Sequence, residues 1–542
     1  MPERHSHAQS ARRFLHGFAR REDGSLLYFS LVLFVLMLMI GGLAVDLMRF
    51  ETSRTRMQQT LDRATLAAAS LTQELTPEDV VHDYFEKAEL DDYLRSVVVT
   101  EGLNFRNVNA VATARTRNYF MHMVGIDELA ANTGSTAEQR VTNVEIALVL
   151  DISGSMAGTK IANLKTAAKE FVDTIISSDP EDRISISLVP YNGQVNLGPV
   201  LRAKYNATHD HGVADVNCID LPASVYTSVG MSRTLAMPMT GHIDSFSSTD
   251  KSTSFVSHTS TDYAKPNPAN RWCPPSTTNT VTLPSHSIDD LQGRIQNLSA
   301  VGATSINAGL KWGLALLDPG ARAMYSELIA SHQIPAIFEN RPFDYTDLQS
   351  MKVVVLMTDG EHFDEERLGD TYRTGLSTIY RSSGDGNYSI YHSGKSGGSK
   401  YWVPHLGTWR TAAWNSGSGV AQQTWPQVWG NLRVSWVAWQ LYARALGSNN
   451  STRSTQYNTW MQNFRIQTDA ADMNTQLQQA CALAKTNSII IYGIAFEAPS
   501  GGQTQIRNCV SSPAHYFNAS GLEIQAAFRA IASNISLLRL TQ

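Results

Sequence analysis

The residues best placed to do chemistry follow one apolar run. Val144–Leu150 reads Val-Glu-Ile-Ala-Leu-Val-Leu, and the run stops at Asp151, with Ser153, Gly154 and Ser155 next. One carboxylate and two hydroxyls within five residues are hard oxygen donors, suited to Mg2+, Mn2+ or Ca2+ rather than to softer metals. Taken alone, these residues fit a serine turn that binds nothing as well as they fit a cation site. Two later polar stops have the same character: Thr304 in Val-Gly-Ala-Thr-Ser, and Asp359 in Thr-Asp-Gly. The run Asp359, Glu361, His362, Asp364, Glu365 and Glu366 would make a second cation site or a solvated acidic loop, and the loop is the expectation. No phosphate-binding GxxxxGK[ST], HExxH or GxSxG pattern occurs. Gly154 stands between two serines, but none of the fifteen histidines is placed to serve either as a base. An enzyme is not expected.

The elements that must position these residues follow from periodicity. The run before Asp151 is apolar and rich in β-branched residues, the pattern of a strand buried on both faces. Ile161, Leu164, Ala168, Phe171 and Ile175 then repeat at helical spacing. Ile184, Ile186 and Leu188 alternate with serines as a strand. Helices are expected at Ile288–Leu298, Ile306–Leu317 and Leu477–Lys485, and strands at Val353–Met357, Ile489–Phe496 and His515–Asn518. A last helix carries Ile524, Phe528, Ile531, Ile535 and Leu538 on one face. Strand–helix alternation of this kind gives an α/β fold with a doubly wound, mostly parallel sheet. In such a sheet, loops at the carboxyl ends of neighbouring strands converge on one crevice, so Asp151, Thr304 and Asp359 are candidates to meet.

Two stretches break the alternation, at about 200–284 and 361–468. Eight of the ten tryptophans lie between Trp402 and Trp460, too many for a low-complexity loop, so the second insertion is expected to fold. Its indoles serve as the insertion's own core or as an aromatic surface for glycan, peptide or another subunit; the core is the stronger expectation.

The chain of 542 residues has room for several domains. Its net charge of −5 gives no reason to expect a nucleic acid partner. Cys218, Cys273, Cys481 and Cys509 include no CxxC, which argues against a thiolate zinc site. Four cysteines fit two disulfides in an exported domain, paired in chain order as Cys218–Cys273 and Cys481–Cys509. In a reducing compartment they would be four buried thiols.

The amino-terminal region has its own logic. Ser25–Val45 carries no charge and is long enough to cross a bilayer as an uncleaved single-pass helix. Arg12, Arg13, Arg20 and Arg21 before it nearly balance Arg49, Arg54, Arg56 and Arg63 after it, so charge does not orient the span. A short head, a long tail and pairable cysteines place the bulk outside the cytoplasm. Nothing interrupts Leu43–Thr72, so the helix is expected to run on to Thr72 as a rod of roughly 70 Å. Phe50, Met57, Ala64 and Leu71, with Leu61 and Ala68 between, form a seam suited to a short coiled coil or to the protein's own domain. A helix is expected at Pro77–Leu94, capped by Thr76, and a strand over Val108–Val124. The expected divisions are a cytoplasmic segment 1–24, a span 25–46, a helical extension 47–73, a small connecting region 74–140, and a domain 141–542 carrying both insertions.

Two resemblances sharpen these expectations. Asp151-x-Ser153-x-Ser155, Gly-Ala-Thr304 and Thr-Asp359-Gly, in that order, resemble the metal-ion-dependent adhesion site (MIDAS) of von Willebrand factor A domains. The resemblance implies Ser153, Ser155 and Thr304 as hydroxyl ligands of a divalent cation, most simply Mg2+, with Mn2+ or Ca2+ as alternatives. It implies Asp151 and Asp359 as direct or water-mediated ligands, and one position open to an Asp or Glu from a protein partner. The gap from Asp151 to Thr304 is longer than the family's because the first insertion lies in it. Gly24-Ser25, Gly42-Leu-Ala-Val-Asp46 and Gln59-Thr-Leu-Asp62-Arg-Ala64-Thr-Leu-Ala-Ala-Ala resemble Tad-type pilus-assembly proteins. In their TadG type, a pilin-like helix precedes a von Willebrand A domain. Together they imply a non-catalytic pilus-assembly or adhesion protein of the bacterial inner membrane, facing the periplasm and other pilus or secretion components. The alternative is a membrane-anchored, metal-dependent, chaperone-like partner of an ATPase or other secretion machinery.

Overall fold

The computed structural model describes residues 23–70, 73, 75–102, 105–140, 143–347, 349–417 and 419–541. The chain forms two compact units, 1–141 and 142–542. Most of the polar segment 1–24, and Leu71 and Thr72 of the expected rod, lie outside the described residues.

The first unit is built on one helix, α1 (Asp23–Ala68). It is the one helix among the described residues long and apolar enough to cross a bilayer. Beyond the apolar stretch, Met57, Leu61, Ala64 and Ala68 turn to one side, as their spacing requires, and are buried. They are covered by the protein itself. The segment 74–140, expected as a small connecting region, holds helix α2 (Pro77–Lys87) and an antiparallel meander of β1 (Leu94–Gly102), β2 (Phe105–Arg117) and β3 (Glu128–Arg140). Val108, Ala110, Ala112 and Ala114 of β2 alternate onto the seam. Small alanines let the strand come close to the helix, so the stripe packs on its own sheet and the described residues form no coiled coil. Thr76 caps α2, its hydroxyl accepting from the Asp79 amide at 3.3 Å. The helix stops seven residues before Leu94, where β1 begins. The strand expected over Val108–Val124 starts three residues earlier and ends at Arg117; a 3₁₀ turn, Met121–Val124, follows.

The second unit centres on a six-stranded sheet. Its strands are β4 (Asn143–Asp151), β5 (Ile184–Tyr191), β6 (Thr282–Ser285), β7 (Ser350–Thr358), β8 (Ile490–Phe496) and β9 (Tyr516–Ala519). They lie in the order β9-β8-β7-β4-β5-β6, all parallel except β6. Alternate residues feed two cores. Val144, Ile146, Leu148 and Leu150 of β4 face α3 (Thr159–Ser177), α4 (Ile288–Asn297) and α9 (Glu523–Thr541). Ala147 and Val149 face α5 (Ile306–Leu317), α6 (Arg322–Ala330), α7 (Ala470–Thr486) and α8 (Ser500–Cys509). With helices on both faces, a strand has no polar side, which is why β4 is buried from end to end.

The first insertion divides: Leu201, Tyr205, Ile219 and Tyr226 join the core of the six-stranded sheet, while its later part packs with the second insertion. Thr282–Ser285, expected inside the first insertion, is instead the antiparallel edge strand. The second insertion is closed at its neck by pairing of Glu365–Leu368 with Arg465–Thr468, and contains a five-stranded antiparallel sheet. Trp402, Trp425, Trp429, Trp436 and Trp439 are buried in a core that also takes Ile243, Ala264 and Trp272 from the first insertion. Indole N–H groups stitch the two together. Trp436 donates to the Val256 carbonyl at 3.1 Å, and Trp439 to that of Ser252 at 3.0 Å. Trp402 and Trp429 donate within the second insertion, to the Gln440 and Tyr372 carbonyls, and with their rings buried these indoles act as filling rather than as a binding surface. Cys218 is bonded to Cys273 within the first insertion, and Cys481 to Cys509 between α7 and α8, the pairing that chain order suggests. Closing loops of 55 and 28 residues stabilises by roughly 3–4 kcal/mol each.

Candidate metal centre

In the six-stranded sheet the chain moves from β4 out to β6 and then returns to β7 on the other side of β4, so the strand order reverses between β4 and β7. A crevice at the carboxyl ends of the strands opens at such a point. Asp151 ends β4 and Asp359 follows β7 directly, which sets the two carboxylates on adjacent strands at that crevice.

The Asp151 carboxylate is fully buried and held at both oxygens. Oδ1 accepts from the Ser153 amide at 2.8 Å and Oδ2 from the Thr358 hydroxyl at 2.7 Å. Asp359 is also buried. Its Oδ1 accepts from the Ser155 hydroxyl at 2.7 Å and the Ser153 hydroxyl at 3.4 Å, and those two hydroxyls are 3.0 Å apart. Thr304 is brought alongside by backbone. The Gly154 amide donates to the Gly302 carbonyl at 2.9 Å, and the Phe363 amide to the Thr304 carbonyl at 3.0 Å. Gly360 packs against Thr304: a methyl built on it would lie in van der Waals contact with the Thr304 hydroxyl, 3.4 Å away. The three loops expected from the sequence therefore meet. Asp151, Ser153, Ser155 and Asp359 form one hydrogen-bonded cluster, and Thr304 borders it without a hydrogen bond to the other four.

Sequence reasoning missed two participants. Thr358 was read only as part of a strand end, yet it fixes Asp151. Lys160, in the first turn of α3, reaches Asp359 Oδ2 at 2.8 Å and Glu497 at 3.8 Å. A cation at a helix amino terminus opposes the helix dipole, and that signal called for an acid nearby.

The electrostatics show what is short. Burial, and behind it the charge of Asp359, pushes the Asp151 carboxyl up to about 7, against the Ser153 and Thr358 hydrogen bonds that favour its ionised form. Among the described residues one ammonium, that of Lys160, meets this pair; it bonds Asp359 and reaches Glu497, leaving Asp151 with neutral donors alone, so the site is short of positive charge. Hard oxygen donors with a charge deficit fit a divalent cation, with Lys160 as the group that must share Asp359.

The run after Asp359 scatters. The His362 ring lies 3.1 Å from the Asn307 amide and 2.8 Å from Asn474 Oδ1. Asp364 accepts from the Ala470 amide, Glu365 from Gln194, and Glu366 from Arg465. Among the described residues, no three His, Cys, Asp or Glu side chains gather as a metal-binding group, so neither a second cation site nor a simple solvated loop describes this stretch.

The family model for putative Flp pilus-assembly TadE/G-like sequences matches residues 24–71. Among solved structures, the chain is similar to the von Willebrand factor domain of the type V pili tip protein Mfa5 from Porphyromonas gingivalis. Identity there is 12%, covering 74% of this chain and 97% of that one, with a TM-score of 0.31. It is similar to the adhesive tip pilin GBS104 from Group B Streptococcus agalactiae, at 13% identity, 72% and 99% coverage and a TM-score of 0.29. It is also similar to the pilus adhesin RrgA from Streptococcus pneumoniae, at 10% identity, 82% and 50% coverage and a TM-score of 0.28. Likeness this distant says nothing further about the chain. Among the curated proteins the sequence has no significant match.

Proposed function

We propose that the chain is a membrane-anchored, non-catalytic protein of pilus assembly or adhesion, of the TadG type, whose second unit is a von Willebrand A domain. α1 anchors it in the bacterial inner membrane with its bulk in the periplasm. Asp151, Ser153, Ser155, Thr304 and Asp359 bind a divalent cation, Mg2+ in the first instance. The observation that carries this reading is the cluster itself. Two buried carboxylates lie on adjacent strands, the Ser153 and Ser155 hydroxyls donate to Asp359, the Ser153 amide donates to Asp151, and Thr304 stands beside them. The match over residues 24–71 supports the pilus setting.

Each residue has a part. Ser153, Ser155 and Thr304 offer neutral oxygens, and Asp151 and Asp359 offer charge, directly or through water. A bound divalent cation supplies a Lewis-acidic point that takes a carboxylate from an acidic partner residue. Thr358 and the Ser153 amide keep Asp151 from rotating away. Lys160 neutralises Asp359 and competes for it.

Calorimetric titration of the full-length protein with Mg2+ tests the site. Asp151→Ala is expected to abolish binding with the fold retained. Lys160→Met is expected to strengthen binding by up to roughly fivefold, the ~1 kcal/mol scale of a part-exposed ion pair. Unchanged affinity in Asp151→Ala refutes the site. Capture of partners with and without chelator, wild type against Asp151→Ala, then tests whether the ion carries the contact.

A further inference from the structure

The turn between β2 and β3 is apolar where a solvent-facing turn is polar. Tyr119, Met123 and Val124 are 68%, 73% and 50% exposed, and Phe120 and Ile126 are exposed as well. Five large apolar side chains within eight residues form a patch that water does not favour.

The position of this turn on α1 says what covers it. Met39, Gly42, Leu43 and Asp46, spaced at helical intervals, face it. A cavity of about 310 Å³ is lined by Val35, Leu38, Met39 and Leu43 of the helix and by Phe120, Met123 and Val124 of the turn. The Phe120 ring lies so close to Gly42 that a methyl there would meet it at 2.4 Å, so only glycine permits the contact. Val35 lies eleven residues before Asp46, roughly 16 Å along the helix axis, about half the thickness of a bilayer's hydrocarbon core. Side chains that pack beside Val35–Leu43 occupy the same depth as those residues.

The backbone of the turn is prepared for a place without water. Asp46, itself buried, accepts from the amides of Tyr119, Phe120 and Met121 at 3.0, 2.7 and 2.8 Å. The amides of Met123, Gly125 and Ile126 are bonded within the turn, and that of Asn118 to the Asp127 carbonyl. Pairing these amides within the protein lowers the cost of taking the turn's backbone out of water. Arg49, just past the apolar stretch, stacks over the Tyr119 ring at 4.1 Å, and His122 and Asp127 pair at 2.6 Å.

We propose that Tyr119–Ile126 is a second membrane contact, a wedge immersed in the same leaflet as the carboxyl-terminal half of the anchor, with lipid acyl chains as its partner. It clamps the three-stranded sheet to the bilayer surface and fixes how the first unit stands on the membrane. The proposal rests on the reading of α1 as a membrane span.

Both ideas are separable in one experiment. All four cysteines are disulfide-bonded, so an introduced cysteine is the one free thiol. Full-length Met123→Cys, Leu33→Cys and Val98→Cys are labelled with an environment-sensitive fluorophore and reconstituted into phosphatidylcholine vesicles containing doxyl-labelled lipid. Leu33 reports the span, and Val98, 56% exposed on β1, reports the sheet surface. The Met123 label is expected to lose roughly half its fluorescence to lipid quenching, as the Leu33 label does, with Val98 unchanged. A Met123 label as unquenched as Val98, beside a quenched Leu33, overturns the wedge and leaves the anchor standing. An unquenched Leu33 overturns both.

Discussion

Asp151 and Glu365 are buried acids with different counterparts. Asp151 lies against a second carboxylate, and hydroxyl, amide and ammonium groups together fall short of balancing the pair. Glu365 is paired: Gln194 donates to it at 2.6 Å and Arg367 lies at 3.4 Å. Burial nevertheless pushes its carboxyl up to about 7. An unfolded glutamate titrates near 4.3, so the folded chain keeps this proton between roughly pH 4.3 and 7 while the unfolded chain has lost it. The stability Glu365 contributes is therefore fully present below the lower value and is lost as pH rises through 7. His362, held near 4 by burial, works in the opposite sense, losing stability as pH falls below its unfolded value. A difference measurement isolates the acid. Glu365→Gln is expected to gain stability over wild type as pH rises from about 4.5 to 7.5, measured by urea unfolding across that range. A constant difference would mean that Glu365 stays ionised in the fold.

At the scale of elements, hydrophobic period was the most legible signal. The strand ending at Asp151, the helix after it and the last helix fall where their spacing puts them, because a two-faced sheet demands continuous apolar strands and striped helices. α3 and α9 meet through Phe171 and Phe528, rings edge to face at 5.7 Å and both buried. Phe528→Ala is expected to cost about 3–5 kcal/mol, read as a lower urea midpoint at unchanged slope. A cost near zero would mean that α9 is not needed to cover that face of the sheet. The seam on α1 was legible as a stripe, but not what covers it, since the same spacing suits a partner helix or a sheet. The alanines of β2 decided it. They are too small to announce a core in a sequence, yet they bring the strand against Met57 and Leu61. The edge strand Thr282–Ser285 was missed because four residues beside a Ser- and Thr-rich stretch carry too little period to register.

The whole molecule is a long, largely apolar helix with its own small sheet, and an α/β unit whose second insertion takes part of the first into its core. The tryptophans are explained by the core they fill: most of it comes from the second insertion itself, and Ile243, Ala264 and Trp272 of the first complete it. A reporter fused to the carboxyl terminus and active only outside the cytoplasm is expected to show activity; a cytoplasmic signal would remove the periplasmic pilus reading. The sequence by itself determined what is local: an apolar run of bilayer length, the strand–helix alternation, and the hard oxygens at the ends of β4 and β7 and in the Thr304 loop, which the structure places between α4 and α5. Each follows from the chemistry or spacing of neighbouring residues. Only the tertiary structure decided what depends on residues far apart. It sets Lys160 on Asp359 and Thr358 on Asp151, joins part of the first insertion to the second, and lays the β2–β3 turn beside α1. Contacts of that kind join side chains that no period relates, and chain packing alone brings them together.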